Sequence, residues 1–259
     1  MDLESVLVTG ANRGIGLELV RQLVHSAAPP RFIFATHRTA DCQQELEEIA
    51  KGAPDGVKLI LVQMDVTSSS DISAARAKVE ETLGEGLGLQ LLVNNAGILL
   101  IQRRFPSTTE DNLKEQFATN TVAPVMIFKE MYPLLQKAAA RRGERCLSVN
   151  RAAVLNISSF AGSIDKAWLP PRSWLASVGY RTSKAALNMS MRLISATVRD
   201  SGVLVVNMCP GWVKTTLGGE EIADLEPEES VKDILRTLPT LGDAHQGAFI
   251  DRHGKEIPF

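Results

Sequence analysis

Residues 6–16 read Val6-Leu7-Val8-Thr9-Gly10-Ala11-Asn12-Arg13-Gly14-Ile15-Gly16, and the reading of this stretch decides the fold. A short apolar run rich in valine predicts a buried strand over 6–9, and an amphipathic helix follows at once over 14–26. Between them, glycines let the backbone turn tightly and come close to a pyrophosphate, while the helix N-terminus offers free N–H donors and a favourable dipole. Strand, turn and helix together predict a dinucleotide pocket. The spacing is G-x-x-x-G-x-G, not the commonest G-x-G-x-x-G fingerprint. A glycine turn can also be purely structural, so the weight falls on what surrounds it.

Outward from this unit, short β-branched or apolar runs alternate with longer amphipathic segments. Strands are predicted at 32–35, 58–63, 89–94, 153–158, 204–208 and 248–250, and helices at 42–51, 71–83, 109–140, 180–200 and 227–237. The alternation predicts an α/β fold: one doubly wound parallel sheet with helices on both faces. Right-handed crossovers put every strand C-terminus on one edge, which is where such sheets bind ligands. Residues 84–88 are glycine-rich but read as a turn before the fourth strand, and with no linker or repeat the chain reads as a single domain over 1–259.

The 259 residues are 44% hydrophobic, enough for a substantial core, and the net charge of −2 lacks the footprint of a strongly basic nucleic-acid-binding domain. Arg141, Arg142 and Arg145 form one basic cluster, read as a solvated helix end. Cys42, Cys146 and Cys209 are far apart and the histidines are scattered, so neither a metal site nor a disulfide framework is expected. The N-terminus has no charged start followed by a long apolar run, and no stretch reaches about 18 apolar residues. The expectation is a soluble, cytoplasmic protein with no membrane or nucleic-acid partner.

Tyr180 and Lys184 stand in the run Gly179-Tyr180-Arg181-Thr182-Ser183-Lys184. A helix returns to the same face after about 3.6 residues, so phenol and ammonium project side by side. A free tyrosine holds its proton to about pH 10, and a nearby positive charge favours the phenolate. The pair therefore points to proton transfer. Alone it is a common pattern, equally compatible with a solvated lysine beside a half-buried tyrosine.

Taken with other segments in order, the chain resembles the short-chain dehydrogenase/reductase family over nearly its whole length. The run from Thr9 to Gly16 is similar to the family's cofactor loop, Asn94-Asn95-Ala96-Gly97 to its strand-four motif, and Cys209-Pro210-Gly211-Trp212-Val213-Lys214-Thr215 to its P-G-x-x-x-T segment. Asn120, Ser159, Tyr180 and Lys184 fall on its catalytic tetrad. Within the family, residues 7–16, 181–188 and 254–259 resemble the small carbonyl reductases of the sniffer and C-factor kind. The resemblance implies a Rossmann-type fold. It also implies a role for each tetrad residue: Tyr180 the general acid, Lys184 lowering its pKa and bonding the nicotinamide ribose, Ser159 holding the substrate oxygen, Asn120 anchoring a relay water. Neighbouring strand residues face opposite ways, so only one of Ser158 and Ser159 faces the pocket. The family pattern selects the second and leaves Ser158 as a structural hydroxyl.

The same resemblance implies cofactor contacts from Gly10, Asn12, Arg13, Gly14, Ile15, Gly16, Asp65, Val66, Asn95, Ala96, Gly97, Tyr180, Lys184, Pro210, Gly211, Val213 and Thr215. Asp65 has a plainer alternative as a turn or cap acceptor. The second strand ends Ala35-Thr36-His37-Arg38 without the acid that NAD-selective members carry there, and Arg38 with Arg13 suits a 2′-phosphate. The expected cofactor is NADPH/NADP+. Ser159 and Tyr180 are separated by more residues than is usual in the family, and the loop at about 160–179 holds Trp168, Pro170, Pro171 and Trp174. These tryptophans, with Trp212, either contact a large apolar carbonyl substrate or pin the loop and a subunit contact, and a C-terminal lid is expected at about 212–240. The activity implied is NADPH-dependent reduction of aldehydes, ketones or quinones. A pteridine or steroid reductase and an NADP(H)-sensing regulator remain as alternatives. The long helices at 109–140 and 180–200 resemble those through which relatives pair, implying a homodimer or homotetramer.

Overall fold

The computed structural model describes residues 1–39, 43–101, 105–143, 145–168 and 177–259. Seven strands, β1 (Ser5–Val8), β2 (Phe32–His37), β3 (Lys58–Gln63), β4 (Leu91–Asn94), β5 (Ala153–Ile157), β6 (Leu204–Cys209) and β7 (Phe249–Asp251), form one parallel sheet in the order β3-β2-β1-β4-β5-β6-β7. Helices α1 (Gly14–Val24), α2 (Gln44–Lys51), α3 (Ser69–Leu83), α4 (Glu110–Phe117), α5 (Ala123–Arg142), α6 (Val178–Val198) and α7 (Pro227–Thr237) cover it on both faces. Alternation along the strands sets the two cores: Val6 and Val8 pack with Leu19, Ile49 and Ile234, whereas Leu7 packs with Val79, Phe128 and Leu187. The Rossmann-type sheet expected from the sequence is thus present.

Strand order reverses between β1 and β4, whose register pairs Val6 with Leu91 and Val8 with Val93. The loops leaving these two strands diverge and open a crevice at the carboxyl edge. Polar caps end the adjacent loops: Ser68, Thr109 and Ser177 each accept a bond from a backbone N–H in the first turn of α3, α4 and α6.

The helix expected over 109–140 is interrupted. After α4 the chain makes one π-helical turn, Ala118–Val122, before α5 begins. Pro124 has no N–H to offer the carbonyl four residues back, that of Asn120, so the regular ladder is broken at this point. The wider turn has buried Asn120 at its centre. In the segment expected as a lid, α7 packs Val231 and Ile234 fully buried in the core, and residues 212–218 and 224, apart from Lys214, line the crevice.

Candidate active site

The crevice is a cavity of about 1170 Å³. One end is built by the turn after β1. Gly10 and Gly14 have φ of 61° and 54°, in the left-handed region that glycine tolerates. A Cβ on Gly14 would lie 3.1 Å from Thr215 Cγ2, and one on Gly10 would lie 3.0 Å from Ala96 Cα. Three loops therefore close on backbone that has no side chain to spare. They are also stitched together: Thr9 Oγ1 accepts the N–H groups of Asn95 and Ala96 at 3.0 Å, and Asn95 Nδ2 donates to the Thr9 and Gly10 carbonyls at 2.9 and 3.1 Å. Thr36 adds a second tie, accepting from the Gly10 N–H at 3.2 Å. Neither threonine was singled out from the sequence, because their partners lie on other strands.

The helix end facing this turn is open. Arg13 is the N-cap of α1 with no side-chain cap bond, and the first turn carries no acid. Its first N–H groups have no intrahelical partner, and the dipole there favours an anion. Arg13 and Arg38 line the same end, and among the described residues neither guanidinium makes an ion pair. The donors, the glycine cradle and the run Ala35-Thr36-His37-Arg38 at the end of β2, which itself holds no acid, fit a phosphate-bearing dinucleotide. Asp65 lines the wall too, while its Oδ1 accepts from the N–H and hydroxyl of Thr67 at 2.8 and 2.7 Å. It is a turn acceptor as well as a wall residue.

The other end holds the proton-transfer residues. Tyr180 lies in the first turn of α6, placed by the Ser177 cap, with only 9% of its surface exposed. Ser159, just beyond β5, hydrogen-bonds the phenol and accepts from the Ala161 N–H at 3.1 Å. Ser158 points the other way and donates to Asn188 Oδ1 at 2.6 Å, as strand alternation requires. Lys184 Nζ donates to the Ile157 carbonyl at 2.8 Å. Asn120 uses its amide fully: Oδ1 accepts from the Ile98 N–H at 2.9 Å, and Nδ2 donates to the Ile98 carbonyl at 2.9 Å and to Ser183 Oγ at 3.0 Å. A Cβ on Gly97 would sit 3.2 Å from Asn120 Oδ1 and 3.7 Å from Lys184 Nζ, so this glycine keeps open the space between them.

Burial dominates the electrostatics. It pushes the Tyr180 phenol up to about 12, against the Ser159 hydrogen bond, and the neighbouring Cys209 adds to the rise. It pushes the Lys184 ammonium down to about 8, with Cys209 opposing. Burial sets the direction of the phenol's shift, and the lysine ammonium is turned onto the Ile157 carbonyl. Cys209, at the end of β6, is itself pushed up by burial.

Of the described residues assigned from the sequence to cofactor, catalysis or substrate, all line the cavity except two. Asn120 and Gly16 lie behind its wall; a Cβ on Gly16 would meet the Gly10 carbonyl at 2.4 Å, so it serves the packing of α1 under the turn. Trp174 and the Trp168 side chain lie outside the described residues. Trp212 is present, its Nε1 bonded to the Gly218 carbonyl at 2.8 Å. Sequence reasoning missed the C-terminal wall: Asp251, Arg252 and residues 255–258 line the cavity, tied down where Ser163 Oγ donates to the Pro258 carbonyl at 2.6 Å and Asp165 N–H to that of Phe259 at 3.0 Å.

A doubly wound sheet, a glycine turn at its switch point and a Ser-Tyr-Lys group, its tyrosine and lysine buried, at the far end of one crevice define an oxidoreductase of the Rossmann type. The chain belongs to the short chain dehydrogenase family, whose model matches residues 4–226. Among solved structures it is similar to the NADPH-bound carbonyl reductase from chicken fatty liver, at 40% identity with both chains covered in full and a TM-score of 0.92. It is also similar to the carbonyl reductase Sniffer of D. melanogaster, at 33% identity and a TM-score of 0.92, covering 99% of this chain and 100% of that one. The C-signal protein of Myxococcus xanthus is 32% identical over 171 residues, 66% of this chain and 93% of its own. Among the described residues no helix is long and apolar enough to cross a membrane.

Proposed function

We propose that this chain is an NADPH-dependent carbonyl reductase that converts aldehydes, ketones or quinones to alcohols. The observation that carries the reading is the meeting of Ser159, Tyr180 and Lys184 at one end of a cavity whose other end presents Arg13 and Arg38, neither ion-paired among the described residues. The glycine turn and the first turn of α1 hold the pyrophosphate, Asp65 and Val66 flank the adenine, and Asn95 to Gly97 with Pro210, Gly211, Val213 and Thr215 line the nicotinamide side. NADPH bound there supplies the hydride. Ser159 holds the carbonyl oxygen, and Tyr180 gives it a proton. A phenol held up near 12 carries its proton at neutral pH, which suits reduction; alcohol oxidation would need it removed first. Lys184 orients the ribose, and Asn120 with Lys184 brackets a relay water in the space that Gly97 leaves.

Phe160 and Leu217 line the substrate side while remaining partly exposed, which favours an apolar carbonyl. The chicken and fly relatives support the reading through their described activities and their full-length similarity. Exposed Met189 and Leu193 on α6, with exposed Val122 and Met126 on the π turn and α5 that pack against α6, support pairing of copies as a homodimer or homotetramer, which sedimentation reads directly. A cytoplasmic location belongs to the same proposal. The test is NADPH oxidation by the purified protein across a panel of aldehydes, ketones and quinones, with Tyr180→Phe beside it. Turnover by the wild type should exceed that of the variant by roughly a hundredfold or more; equal rates would remove Tyr180 from the chemistry.

A further inference from the structure

Asp233 is a buried acid on α7, and it gathers three basic side chains: Arg252 Nε at 3.0 Å, Arg236 at 3.5 Å and His253 Nδ1 at 3.7 Å. Arg236 and His253 are largely exposed, whereas the Arg252 side chain keeps only 25% of its surface. Arg252 alone of the three lines the cavity. Its guanidinium reaches over the turn that leaves β6: a Cβ on Gly211 would lie 2.9 Å from Arg252 Nη1, and Gly211 sits at a φ of 89°. The same turn is held from the other side, where fully buried Ser230 donates its hydroxyl to the Pro210 carbonyl at 2.7 Å. Ser230 and Asp233 are three apart on α7, hence on one helix face.

We infer that Asp233 and Arg252 form a positioning pair that clamps the Cys209-Pro210-Gly211 turn against the reacting end of the cavity; this rests on the carbonyl-reductase reading for its catalytic consequence only. The planar guanidinium can hand Nε to a carboxylate while laying a second nitrogen across a glycine backbone, which a lysine cannot do. The clamp matters because the Gly211 N–H and the Phe160 N–H both bond the Cys209 sulfur, and Cys209 lies within electrostatic reach of Tyr180 and Lys184. A loosened turn would shift that wall and unseat the sulfur. Small displacements of such walls cost rate out of proportion to their size.

Two readouts on Asp233→Asn and Arg252→Gln test the pair, with Arg236→Gln as a control that removes a cation from Asp233 without touching the turn. Iodoacetamide labelling followed by peptide mapping compares Cys209, buried, with Cys146, exposed. Both variants should label Cys209 about tenfold faster relative to Cys146, and lower kcat about tenfold while leaving the NADPH Kd within about twofold, with Arg252→Lys rescuing neither. Unchanged Cys209 labelling overturns the inference, as does an equal effect of Arg236→Gln or loss of folding in both variants, which would make the pair part of the scaffold. A wild type without turnover sinks the carbonyl-reductase reading instead, and the labelling still decides the clamp.

Discussion

Lys184 Nζ lies 5.9 Å from the centre of the Tyr180 ring, yet its hydrogen bond goes to the Ile157 carbonyl. The ammonium is a neighbour of the phenol and not its direct partner, so each group answers first to its own burial. The pH dependence follows from the lysine. With Lys184 pushed down to about 8 and Tyr180 up to about 12, the lysine loses its proton first. The profile of kcat/KM, which reports groups of the free enzyme, should show an alkaline limb near pH 8. Initial rates across the pH range should find that limb displaced upward in Lys184→Arg, whose guanidinium stays charged. A limb that stays in place in this variant belongs to another group.

Stability should carry the same signature with a definite sign. Between about 8 and 10.5 the unfolded chain still binds the Lys184 proton and the folded chain does not, so this group makes stability rise with pH through that window. The contribution is lost again as pH falls through 8. Tyr180 works in the opposite direction, but only above its ordinary value of 10.0. Urea denaturation should therefore show the wild type gaining about 3 kcal/mol on Lys184→Met between neutral pH and pH 10. Curves that remain parallel would mean that the ammonium is solvated in the folded protein.

In the proposed reading, cofactor choice rests on Arg13 and Arg38. Hydrogen bonds from a guanidinium to a phosphate dianion are among the stronger ones, so Arg38→Ala should lower kcat/KM for NADPH roughly ten- to a hundredfold and leave NADH kinetics within about twofold. Arg13→Ala should act in the same direction. Parallel losses with both cofactors would place these arginines at the pyrophosphate rather than at the 2′-phosphate.

Much of this site was legible in the chain before any coordinates, and what was not has physical reasons. The strand, glycine turn and helix from Val6 to Val24 announce themselves because all the information is local: periodicity, backbone freedom and an open helix end. Strand alternation left room for only one of Ser158 and Ser159 at the pocket, and the family pattern chose between them. Arg252 and residues 255–258 were invisible, since their place in the wall depends on β7 lying beside β6, a contact between distant parts of the chain. The π turn at Asn120 was hidden because helical periodicity carries across one wide turn, although Pro124 marks the missing donor. The opposite displacements of Tyr180 and Lys184 were not legible, because spacing reveals proximity and not desolvation.

The two serines after Ile157 make opposite predictions from adjacent positions. Ser158 is 2% exposed and its hydroxyl is the donor to buried Asn188 Oδ1, so Ser158→Ala strips a partner from a buried acceptor and should cost about 1–3 kcal/mol of stability. Activity per folded molecule should be little changed, because that hydroxyl is committed to Asn188 and not to the Tyr180 phenol. Ser159 lines the cavity and hydrogen-bonds the Tyr180 phenol. Removing one such polar contact from a reacting centre typically costs about a hundredfold in kcat or more, so Ser159→Ala should lose activity while melting within a few degrees of the wild type. Thermal melts beside single-turnover rates for both variants separate the cases. A Ser158→Ala enzyme that is stable but inactive would reverse the assignment and turn the β5 end over by one residue.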